Sequence, residues 1–246
     1  MQIAFRTDAS LDIGTGHVMR CLTLAALLQE AGATCRFICR DHPGNLIELI
    51  RTRGFEVQTL ARQKTVQDTE SAQETYADWL GANWETDAQQ TETALGDIIV
   101  DWLVVDHYAL DTGWEKQLRS TCRGLMVIDD LANRNHDCDL LLDQNLGRVA
   151  SDYANLVPQN CALLIGPAYA LLRPEFSAHR QASLARRNAA NLKRLLITMG
   201  GVDKDNATGK ILTALMHVEL PLDCRITVVV AVGEVVNDHQ AAAGGT

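Results

Sequence analysis

Short apolar runs alternate along this chain with stretches in which apolar positions recur every three or four residues. The first kind reads as buried strands and the second as helices, so the order predicts strands crossing over through helices into a parallel sheet, an α/β fold. Residues 2–7 (QIAFRT) read as the first strand. From Val18 the set Val18, Cys21, Leu22, Ala25 and Leu28 keeps helical spacing until Gly32 supplies a stop. A strand over Thr34–Cys39, a helix over Asn45–Arg53 closed by Gly54, and a strand over Glu56–Leu60 continue the rhythm.

Residues 62–96 are polar, with Trp79 and Trp84 as the large anchors, and read as helices lying over the sheet. Order returns with a strand at Trp102–Val105, a helix around Gly113–Cys122, and strands at Leu125–Ile128, Leu140–Leu142 and Ala162–Ile165, the last leading into the turn Gly166-Pro167. Between 170 and 193 the chain becomes basic and weakly apolar, as suits a linker helix. A second unit then begins, with a strand at Arg194–Met199, a turn at Gly200-Gly201, a helix at Asn206–His217 and a strand at Arg225–Ala231. The expected division is an N-terminal Rossmann-like domain over 1–169, a linker helix over 170–193 and a partial C-terminal domain over 194–246. One βαβ unit of about fifty residues buries little core by itself, so the second domain reads as incomplete.

Bulk properties narrow the partners. The formal charge of −9 on 246 residues argues against nucleic acid, whose binding needs a basic stripe. A small anion stays open, because backbone N–H groups at a helix start hold one whatever the net charge. Seven cysteines, an odd and scattered set without a CxxC pair, fit a reducing cytoplasm better than a disulfide framework. No run approaches the roughly 18 apolar residues of a membrane span, and the N-terminus lacks a signal pattern, so a cytoplasmic protein without a membrane partner is expected.

The candidate chemistry begins where the first strand hands over to the first helix. Arg6-Thr7-Asp8-Ala9-Ser10 is followed by Ile13-Gly14-Thr15-Gly16-His17. Ligands of open α/β sheets sit at the carboxyl ends of strands, where glycines let backbone N–H groups approach an anion. This GxG lacks the third glycine of the dinucleotide fingerprint and the lysine of a P-loop, so its spacing alone is a weak signal. His17 adds an imidazole, the side chain that exchanges protons near neutral pH. Taken from spacing alone, it serves equally well as a base or as a helix cap. Asp106-His107-Tyr108 and Asp129-Asp130 end two further strands at the same edge, where aspartates also commonly close turns. His136-Asp137-Cys138-Asp139 has a metal-like composition but no second set to complete a site, so neither metal nor cofactor is expected. Gly200-Gly201-Val202-Asp203, with Asn206 after it, is a second turn of the anion-cradling type, which a capping aspartate would also explain.

Together, RTDASLDIGTGHVMRCLTLA, VVDHYALD, VIDDLANRNHDCDLLLDQN, GPAYALLRPEF and ITMGGVDKDNAT resemble the UDP-2,4-diacetamido-2,4,6-trideoxy-β-L-altropyranose hydrolases of pseudaminic acid biosynthesis. The resemblance covers the chain to about residue 231. It implies a two-domain glycosyltransferase-B-like fold of Rossmann-like sheets, and hydrolysis of a UDP-activated amino sugar at its anomeric carbon with water as the second reactant. It implies that His17 is the base that activates water, and that Arg6, Asp8, Ser10 and Tyr108 contact or position the sugar. Gly14, Gly16, Gly200 and Gly201 become donors to the diphosphate, and Asn206 joins the nucleotide side. VGEVVNDHQAAAGGT departs from the pattern, so the second domain is expected to be cut short. The competing readings are a glycosyltransferase of the same fold and an inactive sugar-nucleotide-binding fragment.

Overall fold

The computed structural model describes residues 1–63, 76–187, 191–200, 203 and 205–230. It forms two compact units, Met1–Asn188 and Ala189–Thr246. In the first, β1 (Gln2–Thr7), α1 (Gly16–Glu30), β2 (Thr34–Arg40), α2 (Ile47–Thr52) and β3 (Glu56–Leu60) form one half. The other half holds α3 (Trp84–Leu95), β4 (Val100–Asp106), α4 (Thr112–Leu118), β5 (Cys122–Ile128), β6 (Leu140–Asp143), β7 (Ala162–Ile165) and α5 (Pro174–Arg186). The seven strands pair in parallel in the order β3-β2-β1-β4-β5-β6-β7. The expected α/β class is thus what the chain adopts.

Strand alternation sorts the side chains between two apolar layers. Ile3 and Phe5 point to the layer that holds Val18, Cys21, Leu22 and Ala25 of α1. Ala4 points to the other layer, with Ala88 and Leu95 of α3 and Trp114 and Leu118 of α4. Both layers close over the central strands, which is why β4 and β5 are nearly continuous apolar runs. Complete burial of a side chain as large as Phe5 or Trp114 contributes about 1.5–3 kcal/mol.

Alternation also decides where the polar ends of the strands go. Arg6 and Asp8 share the side of Ala4 and face α3, whereas Asp106 shares the side of Val104 and faces α1. The order 3-2-1-4 puts the topological switch point between β1 and β4, where Thr7 is the register partner of Asp106. A crevice opens at the carboxyl ends of strands at such a point.

Several expected boundaries move. Helix α1 starts at Gly16, two residues before the expected Val18, so His17 lies inside its first turn. The helix expected to reach Cys122 ends at Leu118, and after a 3₁₀ turn Cys122 opens β5. Apolar residues at 118 and 122 fit helical spacing, but the pairing of Val100 with Cys122 extends the sheet there instead. Within 62–96 the described part holds a 3₁₀ turn at Asp78–Leu80 and α3, but Trp84 is 39% exposed and does not anchor it. Burial instead comes from Asp87, Ala88, Thr91 and Leu95.

In the second unit β8 (Arg194–Thr198) and β9 (Arg225–Val229) pair in parallel through α6 (Ala207–Leu215). Ile197 and Thr208 are its buried side chains among the described residues. The final expected residue of β9, Ala231, lies outside the described residues, as does VGEVVNDHQAAAGGT.

Candidate active site

The loop from Asp8 to Gly16 is folded by its own side chains. The Ser10 hydroxyl oxygen accepts from the N–H groups of Asp12 (3.1 Å) and Ile13 (2.9 Å), and the Gly14 N–H donates to the Ser10 carbonyl at 2.9 Å. Gly14 sits at φ +77°, a left-handed conformation that glycine adopts without strain. Thr15 is the N-cap of α1, but its side chain makes no capping bond, and no atom lies within 4 Å of where a Cβ on Gly16 would stand. The first N–H groups of a helix have no partner within it, so this start is a place where an anion can be held.

His17 does not cap this helix. Its Nδ1 lies 2.6 Å from Oδ1 of the fully buried Asp106. A carboxylate only accepts, so Nδ1 carries the proton and donates it, which leaves Nε2 as the acceptor of the neutral ring. Nε2 has no hydrogen-bond partner among the described residues, while the ring as a whole is 7% exposed. The ring packs edge-on against Tyr108, with centroids 4.5 Å apart. Tyr108 in turn meets Tyr76 and Trp79 at 5.2 and 6.1 Å, so an aromatic wall flanks the imidazole.

Arg20, one turn further along α1, completes the arrangement. Its Nε and Nη2 donate to the two oxygens of Asp106, each at 2.6 Å, and its Nη1 donates to Asp130 at 2.5 Å. The Tyr108 hydroxyl donates to the same Asp130 oxygen at 2.7 Å. Arg20 Nη2 also lies 3.3 Å from Nδ1 of His17. Both are donors there, so this is the approach of a cation rather than a hydrogen bond. Burial alone would raise the pKa of Asp106, but its contacts with His17 and with the charged Arg20 outweigh it and hold the carboxyl well below the usual range. For Arg20 burial opposes the charge, while Asp106 and Asp130 overcome it and keep the guanidinium protonated. Burial chiefly, then the bond to Asp130, raises the Tyr108 hydroxyl, which stays neutral.

The expected site residues thus fall into groups. Ser10, Gly14, Gly16, His17 and Tyr108 stand around the carboxyl ends of β1 and β4. Arg6 and Asp8 are both 0% exposed, pair with each other at 2.7 Å and lie behind the loop, an arrangement that suits positioning rather than contact. Arg6 also donates to both oxygens of Asp87, at 3.1 and 2.5 Å, and Asp8 accepts the Arg40 N–H at 2.6 Å. Asp129 and Asp130 part company: Asp130 joins the site, whereas Asp129 pairs with Arg134 and accepts from Tyr153. The metal-like cluster is dispersed, with His136 on Glu115, Asp139 on Arg119 and Cys138 beside Cys161. Among the described residues no group of three His, Cys, Asp or Glu is placed to hold a metal.

In the second unit Gly200 sits at φ +84°, and Gly201 lies outside the described residues. Asn206 is the N-cap of α6, and its side-chain oxygen accepts from the Gly209 N–H at 3.0 Å. Asp203 adds a second cap, accepting from Ala207 at 2.7 Å and Thr208 at 2.9 Å. Among the described residues no helix is long and apolar enough to cross a membrane.

Asp106 and Asp130, which the sequence placed at the same strand edge, carry this geometry, together with Arg20 and Asp87, which the sequence did not single out. Arg20 was detectable in principle, being a charge beside the buried stripe of α1 and three residues from His17.

No family model matches the chain. Among curated proteins it is 28% identical over 215 residues to the UDP-2,4-diacetamido-2,4,6-trideoxy-beta-L-altropyranose hydrolase of Campylobacter jejuni subsp. jejuni serotype O:2, a match covering 87% of this chain and 66% of that protein. It is 25% identical over 218 residues to an uncharacterized protein of Methanocaldococcus jannaschii, covering 88% of this chain and 40% of the other. The chain therefore spans less than two thirds of the length of either relative. Among solved structures, MurG of Acinetobacter baumannii superposes with a TM-score of 0.53 at 12% identity, covering 96% of this chain and 68% of MurG. That likeness concerns the fold alone, which is of the expected glycosyltransferase-B-like type. By sequence the chain is a distant relative of a hydrolase that acts on a UDP-sugar.

Proposed function

We propose that this chain carries the catalytic half of a UDP-sugar hydrolase, which breaks the bond between the anomeric carbon and the diphosphate of a UDP-activated 2,4-diacetamido-2,4,6-trideoxy sugar, as in pseudaminic acid biosynthesis. One observation carries the reading: the 2.6 Å contact of His17 Nδ1 with Asp106, which leaves Nε2 as the available acceptor at the mouth of the glycine loop. Nε2 takes a proton from water as its oxygen attacks the anomeric carbon. The C–O bond to the diphosphate breaks, and UDP departs as an anion. UDP is a good leaving group, so the site needs a nucleophile and charge stabilisation more than an acid. The open start of α1, with Gly14 and Gly16, supplies backbone donors for that charge. The wall of Tyr76, Trp79 and Tyr108 suits the methyl groups of a deoxygenated, acetylated sugar. Arg6, Asp8 and Ser10 hold the loop, while Gly200, Gly201 and Asn206 keep the nucleotide-side role that the resemblance implies.

The test is to incubate the 246-residue chain with the UDP-sugar and follow UDP by chromatography, with and without an acceptor hydroxyl, alongside His17→Ala. The expected result is UDP release without acceptor, lowered about 10²-fold or more in the variant. Release that requires an acceptor marks a transferase, binding without release marks a binding fragment, and undiminished release by the variant removes His17 from its role.

A further inference from the structure

Cys138 and Cys161 lie apart from the candidate site. Cys138 stands two residues before β6 and Cys161 immediately precedes β7, the edge strand of the seven-stranded sheet. The register pairs Leu140 with Ala162, and the Ala162 N–H donates to the Asp139 carbonyl at 2.8 Å, so the two cysteines meet where the ladder begins. Both join the apolar layer that holds Leu141 and Leu163. Their sulfurs are 3.6 Å apart. The same register sets Cys161 opposite Asp139, so Cys138 is offset by one residue along the chain. A spacing of about 4.8 Å between strands combined with a rise of about 3.3 Å per residue gives roughly 6 Å, inside the roughly 4.4–6.8 Å between Cα atoms that a disulfide spans. Closure to an S–S bond of about 2.05 Å therefore asks for movement of the sulfurs and little of the backbone.

The two thiols are unequal. Cys138 is 1% exposed, whereas Cys161 reaches solvent. With Cys138 as donor, the hydrogen bond between them favours the thiolate of Cys161 and lowers its pKa. The accessible member is thus the one that a disulfide from solution reaches first. Cys21, Cys35, Cys39 and Cys122 are buried, Cys224 in the second unit is half-buried, and among the described residues no other two cysteine sulfurs are in contact.

We propose that Cys138 and Cys161 form a redox pair, a modification site at which a low-molecular-weight disulfide converts both thiols into one intramolecular bond that fastens β7 to β6. The Cys161 thiolate attacks one sulfur of that disulfide, breaks its S–S bond and expels one thiolate. Cys138 then loses its proton and attacks the Cys161 sulfur, expelling the second. Two protein thiols are oxidised, one small disulfide is reduced to two thiols, and the two protein protons go to the leaving thiolates. The new bond closes a loop at the amino ends of two four-residue strands, so it acts on the sheet edge and not on the groups around His17.

The full chain carrying Cys224→Ser, which removes the other accessible thiol, is incubated with glutathione disulfide at neutral pH and followed by thiol titration, intact mass and peptide mapping. The expected outcome is loss of two titratable thiols, a mass decrease of two hydrogens, a peptide linked through positions 138 and 161, and slower amide exchange in β7, all reversed by dithiothreitol. Cys161→Ser in the same background, the less buried change, should keep its five buried thiols. Cys138→Ser should stop with one glutathione on Cys161. A product of the Cys224→Ser chain that ends as the mixed disulfide, a link through other cysteines, or no reaction with the folded chain would each overturn the proposal.

Discussion

The imidazole of His17 and the carboxylate of Asp106, 89 positions apart in sequence, meet at 2.6 Å across the switch point of the sheet. The contact sets which ring nitrogen carries the proton, and that decides whether the other can accept one. Asp106→Asn offers the ring an amide N–H that favours the opposite tautomer, with Nε2 protonated and unable to act as a base. The expected loss in the rate of UDP release is about 10²–10⁴-fold, with KM little changed. Initial rates at saturating and limiting substrate separate the two, and a loss under about threefold would disconnect this pair from turnover.

Arg20 is the counter-charge that lets Asp106 stay buried and ionised. Its fork engages both oxygens of Asp106 and still reaches Asp130, which a lysine, as a compact point charge, cannot do. Arg20→Met leaves these carboxylates without their cation, and an expected loss of about 3–5 kcal/mol follows. Arg20→Lys should recover part of the loss without restoring activity. Urea unfolding of the three proteins measures the first effect and UDP release the second. Equal stability of Met and wild type would show that the charges relax into solvent.

What sequence made legible follows from what is local. The strands were readable because a parallel sheet covered on both faces demands apolar runs such as Leu125–Ile128, whereas the Gly14–His17 loop was a weak signal by spacing and stood out only beside the other motifs in the same order. Asp87 was not readable. It lies in a stretch whose composition suggests a solvated helix, and its partner Arg6 is 81 residues away on a strand. Only the assembled sheet, with Arg6 and Arg40 turned to the side of α3, gives that carboxylate a reason to be buried. Tyr108 was named from its motif, but the bond of its hydroxyl to Asp130 was not, since it forms only once β4 and β5 are paired.

Asp87 is accordingly the residue whose loss should be felt most. It accepts from Arg6, from Arg40 at 2.7 Å and from the Trp114 indole at 2.9 Å, all at full burial. Asp87→Ala leaves Arg40 buried without a carboxylate and Arg6 with Asp8 alone, and destabilisation of about 3–5 kcal/mol is expected. Asp87→Asn keeps an acceptor but not the charge and should fall between. Chemical denaturation with matched slopes checks the order. An alanine variant within about 1 kcal/mol of wild type would mean that water enters to replace the carboxylate.

His107 should make stability depend on mild acid. Its Nδ1 accepts the Ala109 N–H at 3.1 Å, so the ring is held neutral with Nε2 3.5 Å from Asp8. Burial, only partly offset by the charge of Asp8, lowers its pKa from the ordinary 6.5 to about 3. The unfolded chain therefore binds a proton below pH 6.5 that the folded chain refuses until about pH 3. Protons favour the unfolded state in that window, and stability falls as pH falls through it. The depressed carboxylates Asp8, Asp87 and Asp106 have the same sign but act lower, since their contribution is complete above their ordinary 3.8. Between pH 7 and pH 5 the slope thus isolates histidine, and one such group is worth about 2 kcal/mol over that interval. His107→Asn retains an acceptor for Ala109 and cannot titrate, so its urea midpoint should fall less between pH 7 and pH 5 than that of the wild type, a difference that corresponds to roughly 2 kcal/mol once multiplied by the slope. Parallel midpoints for the two proteins would show that the buried ring takes up its proton without resistance.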